Sequence, residues 1–447
     1  MAAIATPPGT GGIGVVRLSG DLAIKISERL FRPYGRDPWP TEGRALLCGS
    51  IHEPLTGRMV DQAVLLVFRA PRSYTTEDVV EIQSHGGTAI LQKVLSLCLQ
   101  EGARLATAGE FTKRAYLGGR FDLAQAEAIA DLIGAKTEKA LENALSQLDG
   151  GLSRDLKNVR ESLIEVLARV EAAIDFPDEI EEPKSSEILS NIEGIEKKIS
   201  LLLSTARQGR ILREGMAIAL VGNPNVGKSS LLNALLREER AIVTDLPGTT
   251  RDLIEENLDI GGYLFRIQDT AGIRDGAFDE AEKLGILRSL EAIRKADALL
   301  YLVDASLPPA PLPFPTQKNL LVLANKIDLV EDREACLAGW EEKLKTKAIP
   351  VSAKSGEGLS ELTEALVALA EGTPLVPHCA INARHQGALS AALGSLEASK
   401  GALLEGLPLD FLTIDLKAAV SSLGEVTGEE VSEEIIEKVF ANFCVGK

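Results

Sequence analysis

The chain has 447 residues and a formal net charge of −17, with 45% hydrophobic and 25% charged residues. This length supports about two to four domains. The acidic balance argues against unaided binding of nucleic acid. No apolar run reaches the ~18 residues of a membrane span, and the start lacks the pattern of a signal peptide. We therefore expect a cytoplasmic protein with no membrane association.

The cysteines indicate the same compartment. There are five, an odd number, at positions 48, 98, 336, 379 and 444, and no two form a CxxC pair. This spacing argues against a disulfide framework and against a zinc site, and it favours a reducing cytosol.

Residues 1–112 combine Gly-punctuated apolar runs, such as IGVVRLSG and QAVLLVF, with a predicted helix at 88–100. This pattern is typical of a compact α/β domain. From about residue 123 the composition changes to long helices rich in Ala, Leu and Glu. Gly150 and Gly151 separate two of them, and Pro177 ends the second.

Two of these helices carry apolar stripes at helical spacing, which predicts a helical bundle. The stripes are Leu152, Leu156, Val159, Leu163, Val166, Val170 and Ala173, and then Ile188, Ile192, Ile195, Ile199 and Leu202.

A second α/β region begins at Met216, where apolar strands such as MAIALVG and ALLYLVD alternate with helical segments. That alternation predicts a mostly parallel sheet covered by helices. It ends near Thr373, and the remainder is again helical. We therefore predict a multidomain fold, α/β plus all-α, with an α/β domain at 208–371 inserted into one helical domain formed by 113–207 and 372–447.

The segment from Gly222 to Ser229, GNPNVGKS, fits the phosphate-binding pattern GxxxxGK[ST] between a predicted strand and a predicted helix. Backbone N–H groups of such a P-loop surround phosphates, helped by the positive end of the helix. Lys228 would reach the β- and γ-phosphates, and the Ser229 hydroxyl would bind Mg²⁺.

Further segments in the order of a GTPase follow. In Asp269–Gly272, DTAG, the carboxylate can hold a magnesium-bound water and the Gly272 N–H can face a γ-phosphate, while Thr250 in GTTRD can supply a second hydroxyl to Mg²⁺. Asp328 of NKID can accept from both N1–H and N2–H₂ of guanine, which adenine does not offer. Ser352–Lys354 would present a backbone N–H to guanine O6.

These motifs predict a Ras-like P-loop G domain that binds GTP. The expected GTP contacts are Asn225, Val226, Gly227, Lys228, Ser229, Ser230, Thr244, Asp245, Leu246, Pro247, Gly248, Thr249, Thr250, Asp269, Thr270, Ala271, Gly272, Asn325, Lys326, Asp328, Ser352, Ala353 and Lys354.

The residues alone leave the hydrolytic mechanism open. Ile273 occupies the position of the water-orienting Gln of small signalling GTPases, and 208–371 contains no His. The carboxylate candidates are Asp275, Asp279, Glu280 and Glu282. The charge on the leaving oxygen could be neutralised by Arg251, by Arg274, or by a monovalent cation held by Asn225 and carbonyls of Thr244–Thr249.

Over its full length the sequence resembles the MnmE (TrmE) family of tRNA-modification GTPases. The matching segments are ATPPGTGGIGVVRLSG, YTTEDVVEIQSHGG, FDLAQAEAIADLI, VEAAIDFPDE, GNPNVGKSSLLNAL, TDLPGTTRD and FCVGK. The resemblance implies an N-terminal domain that binds 5-formyl- or 5,10-methylene-tetrahydrofolate and forms a homodimer. It also implies a heterotetramer or larger assembly with the flavoprotein MnmG (GidA). That assembly adds an aminomethyl or carboxymethylaminomethyl group to C5 of the wobble uridine of tRNA.

The resemblance also assigns residues. Asn225, Thr244, Leu246 and Thr249 would hold K⁺, and Glu282 would orient the water, with Glu280 as the alternative because one extra residue separates DTAG from Glu282. Thr249 and Arg274 complete the expected catalytic set. Folate contacts fall on Arg17, Glu81, Arg120 and Lys447. Cys444 is either a nucleophile or an exposed terminal thiol, and His85 either lines the folate pocket or belongs to a plain turn.

The competing function is a GTP-driven binding switch of the ribosome-assembly kind. Such proteins usually carry a basic RNA-binding module, and we find none in this acidic sequence. The N-terminal segments and FCVGK therefore favour tRNA modification, with MnmG supplying much of the tRNA affinity.

Overall fold

The computed structural model describes residues 1–35, 39, 42–238, 240–241, 255–269, 291–312, 319–372 and 380–447. The chain forms two compact units. The first consists of Met1–Ala130, Leu148–Lys184 and Ser395–Lys447, and the second of Asp131–Gln147 and Ser185–Gly394. The long segment of the second unit thus interrupts the sequence of the first.

The first unit contains a six-stranded antiparallel sheet of order β1-β2-β6-β5-β4-β3. Its strands are β1 Ala2–Ile4, β2 Gly11–Ser19, β3 Phe31–Pro33, β4 Arg44–His52, β5 Met59–Phe68 and β6 Val79–Gly86. Burial alternates along β5, as expected for a sheet with only one face on a core. The helices Ala23–Leu30 and Thr88–Gln100 pack on this sheet, and the second occupies the predicted range.

The first unit also has residues in further helices. These include Glu110–Leu117, Leu123–Gly134, Gly151–Asp175, Ala383–Leu404, Leu409–Thr427 and Glu433–Ala441. The predicted stripe from Leu152 to Ala173 is buried at every position. The helix Gly151–Asp175 ends before Pro177, which cannot donate a helical hydrogen bond.

The second unit is built on a seven-stranded sheet of order β13-β12-β11-β7-β10-β9-β8. Its strands are β7 Met216–Val221, β8 Arg240–Ala241, β9 Glu255–Ile260, β10 Tyr263–Asp269, β11 Ala298–Asp304, β12 Asn319–Asn325 and β13 Ala348–Pro350. β13, β12, β11, β7 and β10 run parallel, while β9 and β8 complete an antiparallel edge.

Helices cover both faces of this sheet. Those with residues in the second unit include Glu138–Leu148, Ser185–Ser204, Ala206–Glu214, Lys228–Glu238, Arg333–Leu344 and Leu359–Glu371. The central strand β11 is a continuous apolar run that is buried on both sides, as parallel strands between helix layers require. Two apolar clusters therefore form, one on each face.

The parallel strands place their carboxyl ends along one edge of the sheet. β7 leads into the P-loop, and β10, β11 and β12 end at Asp269, Asp304 and Asn325. In an open parallel sheet ligands bind outside this edge, so the topology brings the predicted GTP motifs together.

The predicted fold class is confirmed, including the α/β strands of the second unit. The predicted boundaries of three domains stay a prediction, and the helical domain proposed for 113–207 and 372–447 has residues in both compact units. Among the described residues, no helix is long and apolar enough to cross a membrane.

Candidate functional site

The P-loop runs from β7 to the helix Lys228–Glu238. Its turn needs positive φ at Asn225 (65°) and Gly227 (101°), and such alternating backbone geometry points successive N–H groups into an anion-binding concavity. Gly222 packs against the neighbouring strand, because a Cβ there would lie 2.4 Å from the carbonyl oxygen of Leu302.

Lys228 occupies the first position of the helix, and its side chain folds over the loop. Its Nζ donates to the carbonyl oxygen of Gly222 at 2.9 Å and to that of Asn223 at 3.3 Å. Only 9% of Lys228 is exposed, so its ammonium group is held inside the loop curve. Ser229 and Ser230, which follow it, are exposed at the helix N-terminus.

Asn325, at the end of β12, joins two loops. Its Nδ2 donates to the carbonyl oxygen of Val226 at 2.6 Å, and its Oδ1 accepts from the backbone N–H of Ala353 at 3.0 Å. A Cβ on Gly227 would lie 2.4 Å from that Nδ2. The side chain is 2% exposed, so it ties the P-loop to the Ser352–Lys354 loop rather than pointing into solvent.

The neighbouring Lys326 adopts a left-handed conformation with φ 65°. Its Nζ pairs with Oδ2 of Asp304 at 2.6 Å. Burial alone would raise the pKa of Asp304, but hydrogen bonds from Lys326 and Ser306 outweigh it and lower the pKa below its ordinary value. Asp304 is therefore an anion that holds the Lys326 side chain at the sheet edge.

The residues predicted to recognise the base are Asp328 and Ser352–Lys354. Asp328 lies in the 3₁₀ turn Ile327–Leu329 with its carboxylate exposed. Ser352 is buried, and its carbonyl and backbone N–H form a closed turn with Gly356 and Glu357. Ala353 is half-buried and Lys354 exposed. Through Asn325, the structure thus joins the Ser352–Lys354 loop to the P-loop.

These residues fit a nucleoside triphosphate with Mg²⁺. The two loop glycines let the P-loop pack closely against Leu302 and Asn325, where Cβ atoms would clash. Lys228 provides a positive charge, and Ser229 provides a hydroxyl at the helix N-terminus. When bound, Mg²⁺ neutralises charge on the β- and γ-phosphates.

Part of the predicted site lies outside the described residues. Asp269 ends β10, with Leu220 opposite it on β7. The expected positions not described are Thr244, Asp245, Leu246, Pro247, Gly248, Thr249, Thr250, Thr270, Ala271, Gly272, Arg274 and Glu282, together with the alternatives Arg251, Asp275, Asp279 and Glu280.

The predicted folate residues form a cluster in the first unit. Arg17 on β2 and Glu81 on β6 face each other in register. Arg17 Nε donates to Oε1 of Glu81 at 2.8 Å, and another guanidinium nitrogen donates to the carbonyl oxygen of Gly446 at 3.2 Å. Lys447 completes the cluster. Burial, and to a smaller extent the positive charge of Arg17, lower the pKa of its side chain below the ordinary value.

Tyr74 connects this cluster to Arg120. The guanidinium carbon of Arg17 lies 5.5 Å from the Tyr74 ring centroid and that of Arg120 lies 5.2 Å from it, within cation–π range. Arg120 also donates to the carbonyl oxygen of Ser73 at 2.6 Å. Tyr74 therefore connects Arg120 to Arg17, which itself pairs with Glu81.

Cys444 and His85 have different surroundings. The Cys444 side chain is exposed, but the backbone around it is held, because its carbonyl accepts from Gly109 N–H and the Lys447 carbonyl accepts from Phe111 N–H. His85 is also exposed, and its Nδ1 lies 2.8 Å from Oδ1 of Asp61.

Sequence analysis did not single out three residues whose side chains contact charged partners: Tyr74, Asp304 and Glu110. Tyr74 begins a matching segment, YTTEDVVEIQSHGG, but was not singled out. Asp304 had a usable signal, since it ends a central apolar strand beside the two that carry recognised motifs. Glu110 had a local signal in its i,i+4 spacing to Arg114, whereas its pairing with Arg104 became apparent only from the fold.

The comparisons with known proteins cover the whole chain. The family described as "GTP-binding protein TrmE N-terminus" matches residues 1–120, and the one described as "MnmE helical domain" matches residues 123–444. The protein called tRNA modification GTPase MnmE from Nostoc sp. is 44% identical over 462 residues, covering 100% of this chain and 99% of its own.

Two further similarities differ in extent. The protein of the same name from Heliobacterium modesticaldum is 45% identical over 467 residues, covering 100% of this chain and 99% of its own. A solved structure of Aquifex aeolicus Era bound to GDP and AlF4⁻ is 28% identical and covers 40% of this chain and 65% of that one, with a TM-score of 0.29. From the family matches and the full-length identity, the chain belongs to the MnmE family of tRNA modification GTPases.

Proposed function

We propose that this GTPase acts on tRNA in the cytoplasm, together with the flavoprotein MnmG. As a homodimer in a heterotetramer or larger assembly, it adds an aminomethyl or carboxymethylaminomethyl group to C5 of the wobble uridine. A one-carbon folate, either 5-formyl- or 5,10-methylene-tetrahydrofolate, supplies the carbon. GTP hydrolysis requires Mg²⁺ and K⁺, and it drives a conformational cycle that is coupled to the modification of the tRNA.

The observation that carries this proposal is the cluster of Arg17, Glu81 and Lys447, which the Tyr74 ring connects to Arg120. A GTP-driven switch has no need of such a site. Folates combine a pterin ring, which carries N–H donors, with a glutamate tail, which carries carboxylates. Glu81 is an acceptor suited to the first, and the three cations are suited to the second.

Within the G domain, the described residues bind and orient GTP. Lys228 supplies charge for the β- and γ-phosphates, Asn325 fixes the P-loop against the base loop, and Asp328 selects guanine. Of the residues proposed to bind K⁺, Asn225 is the one that lies within the described part of the chain, where it is exposed at the tip of the P-loop. A monovalent cation there would neutralise charge developing on the leaving oxygen, as an arginine finger does. Glu282 would orient the water, and Thr249 and Arg274 would complete the site.

The chemistry of Cys444 is a narrower proposal. Because its exposed thiol lies in the same chain segment as Lys447, we propose that it acts on the folate or on the uridine. A Cys444→Ser variant that binds folate normally but forms no modified nucleoside would support a chemical role, and unchanged product formation would exclude one.

The potassium proposal is tested by steady-state GTP hydrolysis in potassium, sodium and rubidium chloride at matched ionic strength. We expect strong stimulation by K⁺ that Asn225→Ala abolishes. Asn223→Ala is the matched control, since this exposed loop neighbour contributes only its backbone carbonyl to the Lys228 contact. Equal rates in all salts would remove the cation mechanism and leave Arg251 and Arg274 as the candidates.

The modification proposal is tested by reconstitution. Purified chain, MnmG, tRNA, GTP and methylene-tetrahydrofolate are combined with either glycine or ammonium, and the wobble nucleoside is identified by mass spectrometry. We expect a C5-modified uridine whose formation requires both proteins. Product formation without this chain would refute its role.

A further inference from the structure

We propose that an exposed apolar patch at one end of a helix pair in the first unit is the docking surface for a basic protein partner. This inference rests on the proposed function, in which a second protein supplies most of the tRNA affinity. The patch, called here the helix-end patch, consists of Phe176, Ile180, Leu404, Leu407, Phe411 and Ile414.

The helices Gly151–Asp175 and Leu409–Thr427 pack against each other in antiparallel directions. Arg160 pairs with Glu429 at 2.9 Å, and eleven residues further along the first helix Glu171 pairs with Lys417 at 2.7 Å. The end of the first helix and the start of the second therefore lie at the same level. The turn after Asp175 and the connection before Leu409 extend beyond that end.

Large apolar side chains are exposed at this end. On the helix Leu409–Thr427, Leu412 and Leu416 face the core, so Phe411 and Ile414 lie on the outer face, where an amphipathic helix normally carries polar residues. The exposed fractions are Phe176 55%, Ile180 39%, Leu404 66%, Leu407 40%, Phe411 54% and Ile414 66%. Isolated exposed apolar residues are ordinary, but six large ones at one end of a helix pair mark an interaction surface.

Carboxylates surround the patch. The exposed acidic residues of the turn after Asp175 and of the region 404–410 are Asp175, Asp178, Glu179, Glu181, Glu182, Glu405 and Asp410. The exposed basic residues beside the patch are Lys184 and Lys417, and Lys417 is paired with Glu171, so the rim remains acidic. An apolar centre within a charged rim is the usual anatomy of a protein interface.

The negative charge of this rim determines which kind of partner can bind. Two copies of the patch would place like charges against each other, which disfavours self-association. RNA and anionic lipid surfaces would be repelled in the same way. A protein with an apolar centre and a basic rim is favoured, and a partner that carries the tRNA affinity for a chain of charge −17 must itself be basic near its tRNA site. In the proposed function that partner is the flavoprotein.

The test measures binding of the full chain to purified MnmG by isothermal titration calorimetry. One variant combines Phe411→Ser with Ile414→Ser, and a second combines Asp178→Lys with Glu179→Lys. The matched control is Leu55→Ser, since Leu55 is 98% exposed in a turn of the N-terminal sheet. Thermal melting and GTP hydrolysis by the chain alone verify that the variants are folded.

We expect both patch variants to bind about tenfold or more weakly, while Leu55→Ser binds like the wild type. The wild-type affinity should fall as salt rises, and the charge-reversed variant should show a weaker salt dependence. Wild-type affinity in both patch variants would overturn the docking surface and leave the proposed function intact.

Two other results would point elsewhere. Failure of the wild type itself to bind MnmG would overturn the proposed partnership and, with it, the occupant assigned here. A changed sedimentation coefficient of the isolated chain in the Phe411 and Ile414 variant would make the patch an interface between copies of this chain and overturn the proposal.

Discussion

Nδ2 of Asn325 lies 2.6 Å from the carbonyl oxygen of Val226, so the last residue of one strand holds the loop that follows another strand. The same side chain accepts a hydrogen bond from the backbone of Ala353. One buried side-chain amide therefore holds both the loop predicted to bind phosphate and the loop predicted to recognise the base. The first Asn of the NKID motif is a structural clamp, while the exposed Asp328 is the residue available to the base.

Replacing Asn325 by Ala should weaken GTP binding about tenfold or more. The change leaves the carbonyl oxygen of Val226 and the N–H of Ala353 without their shared partner, and each lost buried hydrogen bond costs roughly 1–3 kcal/mol. Titration with a fluorescent GTP analogue measures the affinity. Asn319→Ala, at the exposed start of the same strand, is the control. Wild-type affinity in Asn325→Ala would show that the clamp is dispensable.

Asp328→Asn should change base specificity rather than abolish binding. The carboxylate accepts two N–H donors from guanine, whereas an amide can donate one hydrogen bond to the O2 of xanthine. We expect GTP affinity to fall roughly 100-fold or more, because a donor pair is left without an acceptor, and XTP affinity to rise. Competition between the two nucleotides measures both. Equal losses for GTP and XTP would indicate a structural role for Asp328.

The G-domain strands and loops were predictable because several local signals agreed. Continuous apolar runs indicated buried parallel strands, and GNPNVGKS required a strand before it and a helix after it. The structure places β7 and the helix Lys228–Glu238 there. Consecutive parallel strands bring their carboxyl ends to one edge, so motif order alone predicted a shared site.

Contacts that depend on chain crossings were not predictable in this way. Glu110 meets Arg104 six residues earlier and Arg114 four residues later, but Glu77 reaches Arg114 from a separate loop. Tyr74 likewise lies beside Arg17 only because β2 pairs with β6 and the loop before β6 folds over them. Periodicity identifies the buried face of an element but does not show which distant side chain meets it.

Arg17→Lys should lower folate affinity although it keeps the charge. The guanidinium binds Glu81 and the carbonyl of Gly446 together, a geometry that one ammonium group reproduces poorly. We expect about a tenfold loss in titrations with 5-formyl-tetrahydrofolate. Arg29→Lys serves as the control, because Arg29 is 65% exposed in its pair with Glu101. Undiminished folate binding in Arg17→Lys would remove Arg17 from the proposed site.

The hydrogen bonds around Glu110 should make the stability of the first unit depend on pH in the acidic range. Burial would raise the pKa of Glu110, but hydrogen bonds from Arg104, from the Thr107 backbone and from Arg114 lower it from 4.5 to about 2. A carboxyl group whose folded-state pKa is depressed stabilises the fold above its unfolded pKa. Its contribution is therefore complete above pH 4.5 and is lost progressively as the pH falls toward 2.

Glu110→Gln retains the shape of the side chain and removes the charge that both arginines contact. At pH 7 its thermal midpoint should lie roughly 2–6 °C below that of the wild type. Calorimetric scans between pH 7 and 3 should show this difference narrowing below pH 4.5, since the unfolded wild type then binds a proton that the folded state, with its pKa of about 2, does not yet bind. Glu434→Gln, in an i,i+4 pair that is 77% exposed on the glutamate side, should change the midpoint little. A difference that stays constant down to pH 3 would mean that Glu110 stabilises the unit through packing, independently of its charge.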